Sequence, residues 1–187
     1  MSKIVEQVRD KLSARVPRAA APHLRAAAVL VPIVVSPEPE GERLLLTRRS
    51  QNLRRQPGDI AFPGGAVDPD DPTPLATALR ESHEEVGLST GDVTIVGQMD
   101  ERGTVTGFRI TPFVAAVAGP YPFRANHEVE ELIEVPIVAL TAPEVLEIEE
   151  RRLPDGSLRA VYHYHFEGHD IWGITGRLIK EFLDLIG

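Results

Sequence analysis

The 187-residue sequence contains no cysteine, which removes disulfides, thiolate nucleophiles and thiolate-held zinc or iron–sulfur sites together. Oxygen and imidazole remain as the common metal ligands. Long apolar runs are missing too: the longest, Ala26 to Val35, is interrupted by Pro32, whereas a bilayer-spanning helix takes about 20 apolar residues. The segment up to Arg15 has no apolar stretch and mixes Glu6 and Asp10 with its basic residues, unlike a signal or transit peptide, so no membrane is expected as a partner and a cytoplasmic location is. Positive charge is scarce, with 20 Lys and Arg against 28 Asp and Glu and a net charge of −8. Non-specific nucleic-acid binding depends on a basic field, so nucleic acid is not an expected partner either. A local basic patch can still hold one small anionic molecule.

What is present is an ordinary globular balance, 42% hydrophobic and 26% charged, in a length that suits one domain over residues 1–187. Val5, Val8 and Leu12 recur at helical spacing in residues 1–15 and predict a short amphipathic helix. Residues 17–22 read as a connector, so that 1–22 form a helix and connector; this part is open to covering a site, mediating a homodimer or packing on the sheet. Strands are predicted over Ala27 to Val35, Leu44 to Thr47, Val93 to Gln98 and Ile110 to Ala118, with Glu130 to Pro136 leading into further strand or loop structure and a late pair around Leu158 to Phe166. Helices are predicted over Leu75 to Val86, terminated by Gly87 in the left-handed conformation, and over Thr175 to Ile186. Residues 48–65 read as polar and turn-rich. His163, His165 and His169 near Tyr162 and Tyr164 read as a half-exposed sheet face without chemistry, and Trp172, the one tryptophan, as core packing.

The helix ending Arg80-Glu81-Ser82-His83-Glu84-Glu85-Val86 is the informative segment. At about 100° per residue, Glu84 and Glu85 fall about 60° and 40° to either side of Glu81, so three carboxylates share one face. Leu75, Ala78, Leu79, Ser82 and Val86 form a separate packing stripe beside it. Like charges at this spacing near a helix C-terminus are mutually unfavourable by about 0.2–0.5 kcal/mol per pair. A divalent cation reverses that balance, and an all-oxygen donor set suits Mg²⁺ or Mn²⁺. A solvated acidic face with Arg80 paired to Glu84 is the other reading of the same string.

Gly65, an acidic turn, and then Arg80-Glu81-Ser82-His83-Glu84-Glu85-Val86-Gly87-Leu88 resemble the Nudix box, Gly-x5-Glu-x7-Arg-Glu-U-x-Glu-Glu-x-Gly-U with U a bulky apolar residue. Three positions depart from that pattern: Asp71 stands for the first Glu, eight residues rather than seven separate it from Arg80, and Ser82 occupies an apolar position. Separately, the stretch from Leu45-Leu46-Thr47-Arg48-Arg49-Ser50 through Arg54, Gly58 and Phe62-Pro63-Gly64-Gly65 resembles the signature of the coenzyme A pyrophosphatase branch of the Nudix hydrolases, in which the longer spacing before Arg-Glu is also usual.

The resemblance implies an α/β/α sandwich with a mixed central sheet and a metal-dependent hydrolase of a nucleoside diphosphate linked to another group. For the coenzyme A branch the implied substrate is coenzyme A or a derivative, in which the linked group is the pantetheine arm, cleaved to 3′,5′-ADP and 4′-phosphopantetheine. It implies Glu81, Glu84 and Glu85 as ligands of Mg²⁺ or Mn²⁺ and Arg80 as the residue that orients them. Glu128, Glu130 and Glu131 are candidates for a downstream acid. Coenzyme A adds a 3′-phosphate and a pantetheine arm, so Arg48, Arg49 and Arg54, with Gly64 and Gly65 allowing close backbone approach, are the candidate substrate-binding residues. Rival readings keep the chemistry on ADP-ribose, a dinucleoside polyphosphate or a nucleoside triphosphate, or keep the fold as a nucleotide-sensing module without turnover. Ser50 has no activating base nearby in sequence, which disfavours a serine hydrolase.

Overall fold

A computed structural model describes residues 2–37, 41–53, 56–152 and 156–187. Helix α1 (Lys3–Ser13) is capped by the Ser2 hydroxyl, which accepts from the Val5 N–H. Strands β1 (Arg25–Val35), β2 (Glu42–Arg49), β3 (Ile60–Ala61) and β4 (Gly64–Ala66) precede helix α2 (Pro74–Val86). Strands β5 (Val93–Gln98), β6 (Arg102–Gly103), β7 (Phe108–Ala118) and β8 (Val129–Pro136), the short helix α3 (Ile137–Leu140), strands β9 (Leu146–Arg152), β10 (Leu158–Phe166) and β11 (His169–Ile171), and helix α4 (Gly173–Ile186) follow.

Strands β1 to β8 form one mixed sheet, and β9, β10 and β11 a second, antiparallel one. The spine of the large sheet is the parallel pair β1 and β7, in register from Arg25 opposite Phe108 to Val35 opposite Ala118. Parallel strands at a sheet centre are covered on both sides, which is why β1 is a nearly continuous apolar run. Its residues divide by parity: Ala28, Leu30 and Val34 face α2 with Leu45, Ala78, Val86 and Phe113. Val31 and Ile33 face the opposite way, towards Val5, Val8 and Leu12 of α1 and Leu178, Ile179 and Phe182 of α4. This is the α/β/α sandwich, and α1 packs on its sheet.

Strands β1 and β2 pair only over Ile33–Val35 and Leu44–Glu42, and then part. The fork is filled from both banks: β3 pairs with β2 at Thr47 and Arg48, and β4 pairs with β1 at Ala27 to Val29. Residues 48–65, expected as turns alone, therefore contain two short strands, each made regular by a long neighbour. The charged strand β9, with Glu147, Glu149, Glu150, Arg151 and Arg152, carries little apolar alternation because it is an edge strand, where charge hinders unwanted pairing. Trp172 is a correction: it is 44% exposed, its indole lying parallel to the His163 ring at 5.7 Å with the Arg151 guanidinium also against it. Ile171, fully buried, takes the inward position beside it. Among the described residues no helix is long and apolar enough to cross a membrane.

Candidate active site

Helix α2 begins at Thr73, whose hydroxyl accepts from the Ala76 N–H, with Pro74 in the first turn where no N–H is needed. It ends at Gly87, which adopts φ 69° and returns its N–H to the His83 carbonyl. The last carbonyls, of Glu85 and Val86, accept from the N–H groups of Asn126 and Arg124, tying the loop before β8 to the helix end. Ser82 sits in the packing stripe, fully buried, because its hydroxyl donates to the Ala78 carbonyl at 2.7 Å and leaves no unsatisfied donor.

The three glutamates are treated differently by the fold. Glu84 is half-exposed, Glu81 is 19% exposed at its side chain and Glu85 6%. Gly65 lies under Glu81 so closely that a Cβ there would stand 2.5 Å from Oε1. Glu85 Oε2 accepts the Gly64 N–H at 3.1 Å, and its Oε1 stands 3.8 Å from Arg49 Nη1. Burial raises the Glu81 carboxyl pKa against the opposing Arg80. It pushes Glu85 up to about 7, with the Gly64 N–H and Arg49 pulling back and the charges of Glu81 and Glu128 adding to the rise.

Arg80 sits above Asp71, donating from Nε to Oδ1 at 3.0 Å and from Nη2 to Oδ2 at 2.9 Å, while the Thr77 hydroxyl also donates to Oδ2. These contacts, with Arg80 first, hold the Asp71 carboxyl far below the usual carboxylate range and raise the guanidinium in return. The remaining nitrogen, Nη1, spans Glu81 at 2.9 Å and Glu84 at 3.3 Å. Among the described residues, no three carboxylates or imidazoles are drawn together tightly enough to cage an ion. The donor set nonetheless fits a hard divalent cation: it is all oxygen, it is partly withdrawn from water, and burial raises two of its carboxyls despite the neighbouring arginines.

The substrate-binding candidates separate on strand β2. Arg49, on the parity of Leu45 and Thr47, reaches Glu85. Arg48 has the other parity and meets Glu131 at 2.7 Å, which in turn stands 3.4 Å from His169. The structure thus brings Arg49, Gly64 and Gly65 to the carboxylates and leaves Arg48 on the opposite side of the sheet; Arg54 lies outside the described residues. Of the downstream acids, Glu131 is engaged with Arg48, while Glu128 is the one whose charge is felt by both Glu81 and Glu85. The Glu128 carbonyl accepts the Ser50 N–H at 2.8 Å, a link between the β2 end and this loop that no sequence pattern signals.

The family model described as NUDIX domain matches residues 24–156. The chain is 40% identical over 158 residues to proteins from Yersinia pestis and Yersinia pseudotuberculosis named uncharacterized Nudix hydrolase NudL, covering 83% of this chain and 77% of theirs. Among solved structures it is similar to a Nudix hydrolase from M. smegmatis, RenU, with a TM-score of 0.52 and 29% identity over 62% of this chain and 73% of that one. A MutT/nudix family protein from Enterococcus faecalis shares the fold with a TM-score of 0.55 at 16% identity, over 100% of this chain and 75% of that one.

Proposed function

Because this chain belongs to the Nudix family and is a Nudix hydrolase, we propose that it hydrolyses the diphosphate of coenzyme A or a coenzyme A derivative, giving 3′,5′-ADP and 4′-phosphopantetheine. One observation carries the substrate. The segment from Leu45 to Gly65 resembles the coenzyme A branch signature, and its strands β2, β3 and β4 line the fork beneath α2, with Arg49 and Gly64 both directed at Glu85.

In the reaction, water adds to one phosphorus of the anhydride, the bridging P–O–P bond breaks, and the two phosphate monoesters leave with the oxygen and protons of that water shared between them. Glu81, Glu84 and Glu85 would hold Mg²⁺ or Mn²⁺, which when bound neutralises phosphoryl charge and acidifies water. Arg80, anchored by Asp71, keeps Glu81 and Glu84 on one face of the helix. The Gly64 N–H fixes the rotamer of Glu85. Arg49 supplies a guanidinium for a phosphate oxygen beside Glu85. Glu128, in the loop tied to the helix end by Asn126 and Arg124, is the carboxylate best situated to accept the water proton.

Incubating the pure protein with coenzyme A and Mg²⁺ and resolving the products tests the reading. Release of 3′,5′-ADP in preference to cleavage of ADP-ribose or a dinucleoside polyphosphate is the expected result, and its absence removes the substrate.

A further inference from the structure

Arg109 stands on β7, the strand just beyond the β1 bank of the fork, while Arg49 stands on the β2 bank. In register, Arg109 of β7 lies beside Ala26 of β1, and two residues on, Thr111 lies beside Ala28, whose other neighbour is Gly65. Arg109, Thr111, Ala28 and Gly65 share the parity that faces α2. From Gly65 to Arg109 is two strand spacings across and two residues along, about 12 Å between Cα atoms. The β1 residues between them on this face, half-buried Ala26 and fully buried Ala28, are both small.

The Arg109 guanidinium is oriented but not saturated. Its charge partner is Glu101, with Arg109 Nε 3.7 Å from Oε2, too long for a hydrogen bond. The Glu101 oxygens are already used: Oε1 accepts the Thr111 hydroxyl at 3.0 Å and Oε2 the Ala20 N–H at 2.9 Å. Arg109 Nε is buried and has no hydrogen-bond partner among the described residues. A buried donor left unpaired is unfavourable. The side chain as a whole is 26% exposed, so an anion from solvent can reach the guanidinium through its outer part.

We propose that Arg109 is a specificity-determining residue that binds the phosphate monoester on the ribose of the nucleotide half, while Arg49 attends the diphosphate. This rests on the coenzyme A reading. Two cations then flank the carboxylates, one on β2 and one on β7, and the distance between them selects a nucleotide phosphorylated at both its 3′ and its 5′ positions. Glu101 acts as the brace that keeps the guanidinium on the sheet face.

Calorimetric titration of 3′,5′-ADP and of 5′-AMP into the full chain, wild type and R109Q, tests this without turnover. The expected result is a wild-type preference for 3′,5′-ADP of about tenfold or more, abolished in R109Q through weaker 3′,5′-ADP binding while 5′-AMP binding stays within twofold. R109K, which keeps the charge and loses the planar fork, should fall between them, and equal melting temperatures exclude loss of the fold as the cause. A wild-type preference that survives in R109Q overturns the role of Arg109 and leaves the coenzyme A reading standing. Loss of 5′-AMP binding in step with 3′,5′-ADP overturns it as well, because the residue would then serve the fold. A wild type with no preference removes the coenzyme A reading, and the proposal with it.

Discussion

Asp71 and Arg80 form a two-pronged ion pair, 3.0 Å and 2.9 Å, that joins the acidic turn to the catalytic-helix candidate. Asp71 is shorter than the glutamate usual in the Nudix pattern. Thr77 meets the carboxylate from the first turn of α2, so the pair closes without the extra methylene.

Removing the Asp71 charge with Asp71→Asn should lower the melting temperature by several degrees and reduce kcat by about tenfold, because Arg80 loses its anchor and with it the alignment of Glu81 and Glu84. The pH dependence has a definite sign. Asp71 has a folded-state pKa far below its unfolded value, so its contribution is complete above the unfolded value of about 3.8 and is lost as pH falls below it. Acid unfolding followed by circular dichroism should begin at higher pH in the wild type than its neutral-pH stability alone would suggest, and the gap between wild type and variant should narrow as the medium becomes acid. A gap independent of pH would contradict the ion-pair account.

Glu85 has the opposite sign. Its pKa rises from 4.5 to about 7 on burial, so in the cation-free protein the charged form opposes folding. That penalty is absent below pH 4.5, grows through neutrality and is complete above about pH 7. Glu85→Gln keeps an oxygen for the Gly64 N–H and should therefore raise stability in EDTA at pH 8 by about 1–3 kcal/mol while changing little at pH 5. Its kcat with Mg²⁺ should fall by about 100-fold or more. Denaturant melts at the two pH values, with EDTA and with excess Mg²⁺, measure the difference; unchanged metal-dependent turnover would remove Glu85 from the ion site.

How much of this was readable from the chain depends on the range of the interaction. The helix positions of Glu81, Glu84 and Glu85, the cap at Gly87 and the burial of β1 follow from patterns of a few residues, whereas which β1 side chains face α2 does not. The fork does not, because β3 and β4 are regular only through β2 and β1, and nothing within Phe62-Pro63-Gly64-Gly65 says that one N–H will find Glu85. The direction of Arg48 was likewise hidden: adjacent arginines look alike in a string, and only the strand parity separates them. Trp172 shows the same limit, since a lone tryptophan is packed or exposed according to which neighbour takes the inward position.

Gly65 is a test of close approach. A methyl group there would collide with the Glu81 carboxylate, 2.5 Å from Oε1 and 2.6 Å from Cδ. Glu81 must swing its carboxylate aside, a small cost for the end of a flexible side chain, so Gly65→Ala should lower kcat by about tenfold or more with little change in melting temperature. A crystal structure of the variant should show the Glu81 carboxylate swung away from β4. Wild-type kinetics in Gly65→Ala would mean that the observed position of Glu81 is unnecessary.

Adjacent arginines with opposite parity give the last contrast. Arg49 stands 3.8 Å from Glu85 and faces α2, whereas Arg48 is engaged by Glu131 at 2.7 Å on the other side of the sheet. Arg49→Gln removes a guanidinium that a phosphate oxygen can use, a charge-assisted interaction worth about 1.5–3 kcal/mol, and should raise KM for coenzyme A by about 10- to 100-fold. Arg48→Gln instead strands Glu131 beside His169, so its effect should be on melting temperature, with KM within about threefold of wild type. Because the two substitutions are chemically identical and one residue apart, nonspecific loss of positive charge would affect them equally. Parallel KM shifts would therefore place the phosphate path on both faces of β2 and refute the one-sided site.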